Sequence, residues 1–212
     1  PWQIIPIETL PPINTDINGY NVATFIRLTN TETLKRKIVK LMSESQFLLF
    51  LKSKNIHMSF FVEGSEICNI IKTTEDNQVI LLSNGETKSR WLLYTNEKVK
   101  VPSNLRSILD VDINTPQKLR NAKDFDLSFA ISINDRGKLQ RLDKEAAVIY
   151  TYLPTSFKFG SEGFPFLVNA NFITDAGRQQ LNKASEWNKL IFSKIPSEYL
   201  TWMKKICSIY KN

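Results

Sequence analysis

The sequence offers a single residue for histidine-based catalysis, because His57 is the only histidine. It stands between Ile56 and Met58, in a run where apolar and polar residues alternate as they do in a β-strand. A lone histidine in a strand is more often structural than catalytic, and a hydrolytic triad needs a positioned histidine base. The sequence therefore predicts no hydrolase of the triad type.

The sequence also gives only weak signals for a metal site or a phosphate site. Asp110 with Asp112 and Asp124 with Asp126 have the spacing of some divalent-cation sites, but strand and turn edges produce the same spacing. The chain contains neither G-x-x-x-x-G-K-[ST] nor G-x-G-x-x-G, and its seven glycines are too few for a phosphate cradle of its own. We expect no metal site, and we expect any ATP site to lie mostly outside this chain.

The composition predicts a globular protein with a real core, since 42% of the 212 residues are hydrophobic and 11% are aromatic. No apolar run reaches the ~18 residues of a membrane span, and the start at Pro1 lacks a signal peptide. Because residue 1 is proline, we expect the sequence to lie inside a longer chain. Cys68 and Cys207 show no C-x-x-C spacing, so we expect buried free thiols in a reducing compartment, the cytoplasm.

The charge balance is basic, with 28 lysines and arginines against 21 acids and a net charge of +7. The densest basic groups are Lys35-Arg36-Lys37 with Lys40, and Lys204-Lys205. Both fall on helical patterns, where a solvated face is the usual explanation. Clustered positive charge also favours nucleic-acid binding, so that function stays open as the alternative.

The first half of the chain predicts a helix followed by an antiparallel meander. A strand is expected at 20–28, and a capping-box spacing from Thr29 to Glu32 then predicts a helix that bends or restarts near Ser43. Four β-rich runs follow, with an Asn-Gly hairpin signal between the last two. These runs begin at Ile56, Ile67, Gln78 and Arg90.

The second half alternates short helical pieces with further strands. Short helical or irregular pieces are predicted at 102–109 and 116–122, and strands at 126–133, 147–153 and 166–172. From about Arg178 the chain is predicted to be helical, with an apolar stripe of Leu200, Met203, Cys207 and Tyr210. This order predicts an α+β domain whose sheet is antiparallel or mixed, with helices segregated to one side and to the C-terminus.

Several motifs in the second half are distinctive when taken together. They are Tyr152-Leu153-Pro154, the run Gly-Phe-Pro-Phe-Leu-Val-Asn-Ala-Asn-Phe at 163–172, the segment 175–181, and Ser185-Glu186-Trp187-Asn188. Their order resembles the segment after the ATP-binding domain of sacsin-type proteins, which belong with the ninety-kilodalton heat-shock chaperones among the GHKL ATPases. That family has F-x-x-L-P, l-P-v-h-v-N-g-x-F, a basic d-R and a W-N helix. Here Gly177 stands where the family often has an acid before the arginine.

The resemblance implies a transducer (middle) domain at 46–212, preceded at 1–45 by the end of an ATP-binding domain and a linker helix. Residues 47–51 are similar to the family's joining helix. ATP and Mg would be bound mainly by the preceding domain, which is the expected partner, and a client protein or a homodimer partner would be further partners. The parent would be an ATPase, whereas this chain alone would be inactive.

The resemblance also implies a basic residue that reaches the γ-phosphate of ATP, stabilises the charge of phosphoryl transfer and reports the nucleotide state. Arg178 is the first candidate, and Asn182 is expected one helical turn later on the same face, as a cofactor-binding residue. Lys158 is the second candidate, in a loop from which a mobile lysine could reach a phosphate. The alternative for Lys158 is an ordinary surface lysine. Asn169, Asn171 and Trp187 are expected to be structural.

Overall fold

The computed structural model describes residues 31–85, 87–177 and 179–209. The chain divides into two compact units, residues 1–37 and residues 38–212. Of the first unit, only the helical residues 31–37 are described. The strand predicted at 20–28 therefore lies outside the described residues, and the domain boundary predicted after residue 45 stays a prediction.

The expected interruption of the first helix near Ser43 is confirmed. Helix α1 spans Thr31–Ser43, and a 3-10 helix follows at Ser45–Phe50. The Ser43 hydroxyl donates a hydrogen bond to the carbonyl of Lys40 at 2.8 Å, at the point where α1 ends. Four consecutive apolar residues, Phe47 to Phe50, are buried in this 3-10 segment, which explains why it packs closely against the sheet.

Nine strands form one sheet in the described part of the chain, in the order β1-β2-β3-β4-β5-β9-β7-β8, with β6 paired to β5. All pairs are antiparallel except β7 with β9. The predicted meander is thus confirmed for β1 to β4. The strands are β1 Asn55–Val62, β2 Ser65–Glu75, β3 Gln78–Ser83, β4 Thr87–Lys100, β5 Asp124–Ile133, β6 Leu139–Gln140, β7 Ile149–Thr151, β8 Leu153–Pro154 and β9 Leu167–Ala170.

The prediction of one continuous strand at 147–153 is wrong. It is split into β7 and β8, which pair with each other across Tyr152. Tyr152 has a left-handed backbone with φ of 67°, a conformation that side chains other than glycine adopt at some cost. Its N–H donates to Asn169 Oδ1 at 2.7 Å, and this bond holds the tight turn that alternation alone does not reveal.

Helix α4 spans Glu186–Ile209 and begins later than predicted. Residues 174 and 181 instead form an isolated β-bridge. The short helical pieces are confirmed as a 3-10 turn at Ser103–Leu105, α2 at Arg106–Val111 and α3 at Gln117–Arg120. No helix within the described residues is both long and apolar enough to cross a membrane.

The sheet carries a core on each face. Leu127, Phe129 and Ile131 of β5 share one core with α4, which we call the α4 face. Ala130 belongs to a second core with the 3-10 segment and the middle of β2 and β3, which we call the 3-10 face. The α+β class with a mixed sheet is confirmed, with one difference in detail: helical residues cover both faces, and β5 has buried residues on both.

The face that α4 presents to the sheet is not the predicted stripe. Leu200 is exposed, as is Cys207, and Tyr210 lies outside the described residues. The buried residues of α4 are instead Trp187, Asn188, Leu190, Ile191, Ile195, Trp202 and Ile206. Two stripes compete on this helix, and the one with both tryptophans buries more apolar area. Cys68 is buried as predicted.

Phe129 is the best place to test this core, since its side chain is fully buried and its ring contacts Tyr94, Phe166, Tyr199 and Trp202. Phe129→Ala should lower the free energy of unfolding by about 3–5 kcal/mol. Phe61→Ala is the matched control, because Phe61 is 55% exposed and should change stability by less than about 1 kcal/mol. Urea unfolding checks both. Equal losses would contradict this description of the core.

Candidate functional site

Lys158 lines a cleft of about 700 Å³. Three parts of the chain form its walls: the end of α1 with the start of the 3-10 segment, the chain from Glu145 to Lys158, and Gln179. The polar side chains that line it are those of Lys40, Glu44, Gln46, Glu145, Tyr150, Thr155, Ser156, Lys158 and Gln179. The cleft is therefore rich in hydrogen-bonding groups and carries both signs of charge.

The ammonium of Lys158 is paired with a carboxylate that solvent already reaches. Lys158 Nζ lies 2.9 Å from Glu145 Oε2, and the exposed fractions of the two side chains are 26% and 93%. An ion pair with so exposed a partner contributes little to stability, and the partner can be replaced at small cost. Lys158 is thus a half-buried cation whose counter-ion is exchangeable.

The backbone around Lys158 is held by aromatic contacts on both sides. Phe157 and Phe159 lie 6.0 and 5.5 Å from the ring of Phe192 on α4, and Phe159 stacks on Phe164 at 4.9 Å. Phe157 also accepts a hydrogen bond from the Ile149 N–H at 2.9 Å. The segment expected to be a mobile loop is therefore attached to α4 and β7, so only the lysine side chain itself is left free to move.

Gly163 closes the same loop. Its φ is +70°, and a Cβ built there would lie 2.6 Å from the carbonyl oxygen of Ala147. Both the backbone conformation and the close approach require glycine. This residue is the first of the Gly-Phe-Pro-Phe motif, so the motif glycine has a packing role beside the Lys158 cleft.

Tyr150 forms part of the inner wall of the cleft. Its ring packs 5.2 Å from Phe50. Burial, with a smaller contribution from the charge of Glu44, raises the pKa of the Tyr150 phenol above its usual value. The phenol therefore stays protonated at neutral pH and is a hydrogen-bond donor, not a base.

Arg178, the first candidate, lies outside the described residues. The turn that leads to it is described: Asp175 Oδ1 accepts hydrogen bonds from the N–H groups of Gln179 and Gln180 at 2.9 and 3.3 Å. The Gln179 carbonyl in turn accepts one from the Ser156 N–H at 2.8 Å. The residue after Arg178 is thus attached to the chain just before Lys158, and it lines the same cleft.

The helical geometry predicted for Asn182 is wrong, because α4 begins only at Glu186. Asn182 instead lies in a loop, where its Oδ1 accepts from the Ala184 N–H at 3.0 Å and its Nδ2 donates to Asn114 Oδ1 at 3.3 Å. Asparagine prefers such local bonds to the backbone over a helix interior. Asn182 does not line the Lys158 cleft, and its cofactor role stays a prediction without that geometric basis.

The Trp-Asn pair at the start of α4 has the structural role predicted for Trp187. Trp187 is fully buried and its Nε1 donates to the Asn171 carbonyl at 2.9 Å. Asn188 was quoted only as part of the motif, without a role of its own, yet its side chain makes three main-chain bonds: Oδ1 accepts from the Ile173 N–H, and Nδ2 donates to the carbonyls of Ile173 and Asn182. The pair therefore fixes the whole loop between β9 and α4.

Asp124 and Asp126 do not share one cation, because each forms an ion pair with a different lysine. Asp124 pairs with Lys100 at 3.2 Å, and Asp126 with Lys52 at 3.6 Å. Among the described residues, no group of three or more His, Cys, Asp or Glu side chains is placed to hold a metal ion. His57 lies in β1 with its Nε2 3.3 Å from the Ser59 hydroxyl, a local contact within one strand.

Asp112 is a buried acid whose sequence spacing suggested at most a cation site and did not reveal its structural role. Its carboxylate accepts hydrogen bonds from the Thr115 hydroxyl at 2.5 Å, the Asn114 N–H at 2.9 Å and the Glu186 N–H at 2.9 Å. The last bond caps the N-terminus of α4 from a distant part of the chain. Burial opposes ionisation of Asp112, but these bonds outweigh it and hold its pKa below the usual value.

Comparison of the chain with protein-family models, with curated proteins and with solved structures found no match in any of the three. The resemblance to sacsin-type transducers therefore rests on the motif residues themselves.

Asp112 gives a pH-dependent prediction for stability. Because its folded pKa is lowered, its contribution should be present above the unfolded value near ~3.9 and should be lost as the pH falls through the lower folded pKa. At pH 7, Asp112→Ala should cost about 1–3 kcal/mol of unfolding free energy. Asp110→Ala, at an exposed position on α2, is the control. Thermal melts between pH 2.5 and 7 measure this, and a mutational loss that does not shrink in acid would contradict it.

Proposed function

We propose that this chain is the transducer (middle) domain of a chaperone-like GHKL ATPase, and that it couples ATP binding and hydrolysis in a preceding domain to conformational change. In this proposal the preceding domain binds ATP and Mg. The chain supplies a basic residue to the γ-phosphate, and its sheet and α4 carry the resulting displacement onward. The parent protein is an ATPase.

What supports the proposal first is the packing of the motif residues into one block. Leu153 and Pro154 form β8, the Pro-Phe-Leu-Val-Asn run forms β9 beside the central strand, and the Trp-Asn pair begins α4. Side-chain bonds from Asn169 and Asn188 connect these elements. In this proposal the connected block moves as a unit, which is what transmission of a local phosphate contact requires.

The observation that carries the proposal is the setting of Lys158. This cation lines a 700 Å³ cleft next to Gln179, its backbone is attached to α4 through Phe157 and Phe159, and its only ion pair in the described part of the chain is with the exposed Glu145. A nucleotide phosphate could replace that carboxylate with little loss. Movement of Lys158 would then act directly on α4.

Such a cation acts mainly in the transition state. Charge on the γ-phosphoryl group is redistributed during transfer, and a positive group already in place stabilises it without further reorganisation. Arg178 remains the first candidate by resemblance and Lys158 the candidate with a described setting. An arginine would contact the phosphate with a planar fork, whereas a lysine would act as a point charge.

A second candidate function is a basic module for nucleic acid or a protein partner, favoured by the exposure of Lys204 and Lys205 near the end of α4. Lys205 also lies 5.1 Å from the centre of the Tyr94 ring. If this function holds, affinity for labelled DNA or RNA should fall steeply with salt and should fall further in the Lys204→Ala, Lys205→Ala double variant. Weak binding with a flat salt response would leave the transducer proposal ahead.

The transducer proposal predicts separate effects on turnover and on stability in the parent ATPase. Arg178→Ala or Lys158→Ala, whichever residue is the phosphate contact, should lower turnover by about ten- to a thousand-fold, ~1.4–4 kcal/mol, with little change in nucleotide affinity. ATPase assays, nucleotide titrations and melting temperatures on the same variants measure this. Partial rescue by Arg178→Lys would indicate a point charge.

Lys144→Ala is the matched control, because Lys144 is an exposed lysine near the same cleft that pairs only with Glu162 among the described residues. It should turn over at the parental rate. If both Arg178→Ala and Lys158→Ala also keep that rate, the transducer proposal is wrong.

A further inference from the structure

A second, smaller cavity lies on the 3-10 face, beyond the end of the 3-10 segment. Its volume is about 210 Å³, and we call it the polar pocket. Its apolar lining comes from Leu49, Phe50, Leu51 and Leu93. Its polar lining comes from Lys52, Lys54, Lys72, Thr74, Thr95, Glu97, Asp126, Ser128, Tyr152 and Asn169. Asn169 and Tyr152 also belong to the block of motif residues in the transducer proposal, but none of the lining residues is a candidate phosphate contact.

Lys72 is the most unusual group in the polar pocket. The residue is only 2% exposed, and its Nζ donates a hydrogen bond to the Leu51 carbonyl at 2.6 Å. No carboxylate lies within 4.0 Å of that Nζ among the described residues, whereas Lys52 pairs with two acids. A buried ammonium without an anionic partner is costly, and burial accordingly lowers the pKa of Lys72 to about 8.

Further side chains that can donate hydrogen bonds line the same pocket. Thr95, Ser128 and Asn169 are directly opposite one another on β4, β5 and β9, and so form a polar row across the sheet. The hydroxyls of Thr95 and Ser128 are 3.1 Å apart. Asn169 Oδ1 is occupied by the Tyr152 N–H, which leaves its Nδ2 as a donor. Thr74 Oγ1 is buried without a hydrogen-bond partner among the described residues.

The charges around the polar pocket leave one cation without compensation. Lys52 Nζ lies 3.2 Å from Glu97 Oε1 and 3.6 Å from Asp126 Oδ2, so both acids of the pocket are engaged by this one lysine. Counting Lys52, Lys54 and Lys72 against Glu97 and Asp126, the lining carries a net charge of +1. Lys54 is exposed to solvent, so Lys72 is the buried lysine of the pocket that has no carboxylate within 4.0 Å among the described residues.

From this geometry we infer that the polar pocket binds a small organic carboxylate, with Lys72 and Thr74 at the carboxylate group and the wall of Leu49, Phe50 and Leu93 around a short apolar body. One uncompensated lysine balances one negative charge. A phosphate dianion would bring excess negative charge close to Asp126 and Glu97, which repel it. The inference goes beyond the transducer proposal and does not depend on it.

The probes are isobutyrate, inorganic phosphate and chloride, each titrated into the full chain at constant ionic strength. The readout is the side-chain ¹³C resonance of Lys72 in protein labelled at lysine. Isobutyrate should shift this resonance saturably, with a dissociation constant of roughly a millimolar or lower, and should raise the pKa of Lys72, because a bound anion favours the charged amine. Phosphate should bind at least about five-fold more weakly, since Asp126 and Glu97 repel its additional negative charge and it has no apolar body to contact Leu49, Phe50 and Leu93.

Three variants separate a binding site from a structural lysine. Lys72→Met keeps the length of the side chain without the charge and should weaken isobutyrate binding at least about ten-fold. Thr74→Val has nearly the same shape, should weaken binding by about three-fold, and carries the test if Lys72→Met fails to fold. Lys100→Met removes an exposed lysine that pairs with Asp124 and should leave the affinity unchanged.

Several outcomes would overturn the inference. They are a Lys72 resonance that does not respond saturably to isobutyrate, equal affinity in wild type and in Lys72→Met, and tighter binding of phosphate than of isobutyrate. An equal response to chloride would mean that the pocket holds an adventitious ion only. Loss of ATPase activity in the Arg178 or Lys158 variants has no bearing on these measurements, so the two proposals fail independently.

Discussion

Strand β5 is covered on both faces, by α4 on one and by the 3-10 segment on the other. Its residues from Leu127 to Ile131 are buried without a gap. In a sheet whose outer strands face solvent, such a strand fixes the register of its neighbours, because a slip of one residue would exchange its two sets of buried side chains. The positions of β4, β9 and α4 follow from this one strand.

The 3-10 face is divided into an apolar part and a polar part, and this division depends on how much of the face the 3-10 segment covers. The 3-10 segment is only six residues long and therefore covers only part of that face, where Ile70, Leu81 and Ala130 are buried against it. Farther along the same strands the side chains become polar, as at Lys72 and Ser128. The polar pocket lies at this boundary, where the apolar core of the 3-10 face ends but the side chains are not yet exposed to solvent.

Local signals allowed much of the fold to be predicted. Alternating patterns and the Asn-Gly turn are sufficient for β1 to β5, and the capping signals near Ser43 are sufficient for the break after α1. Failures occurred where distant side chains decide the backbone: Asn169 reverses the chain at Tyr152, and Asp112 with Asn188 sets the start of α4. A pattern-based prediction cannot include bonds between residues 74 positions apart, such as that from Glu186 to Asp112.

The candidate sites could be predicted only in part, for a related reason. Lys158 was singled out because it lies in a loop between two predicted strands, but the sequence does not reveal that its backbone is attached to α4 or that its counter-ion is exposed. Lys72 was not noticed, since Lys72-Thr73-Thr74 resembles the solvent side of any strand. The two lysines differ in their counter-ions. Lys158 pairs with a carboxylate that a ligand can replace, whereas Lys72 has no carboxylate partner in the described structure. A replaceable counter-ion suits a phosphate contact that forms and breaks during an ATPase cycle, whereas the absence of a counter-ion suits an anionic ligand that stays bound.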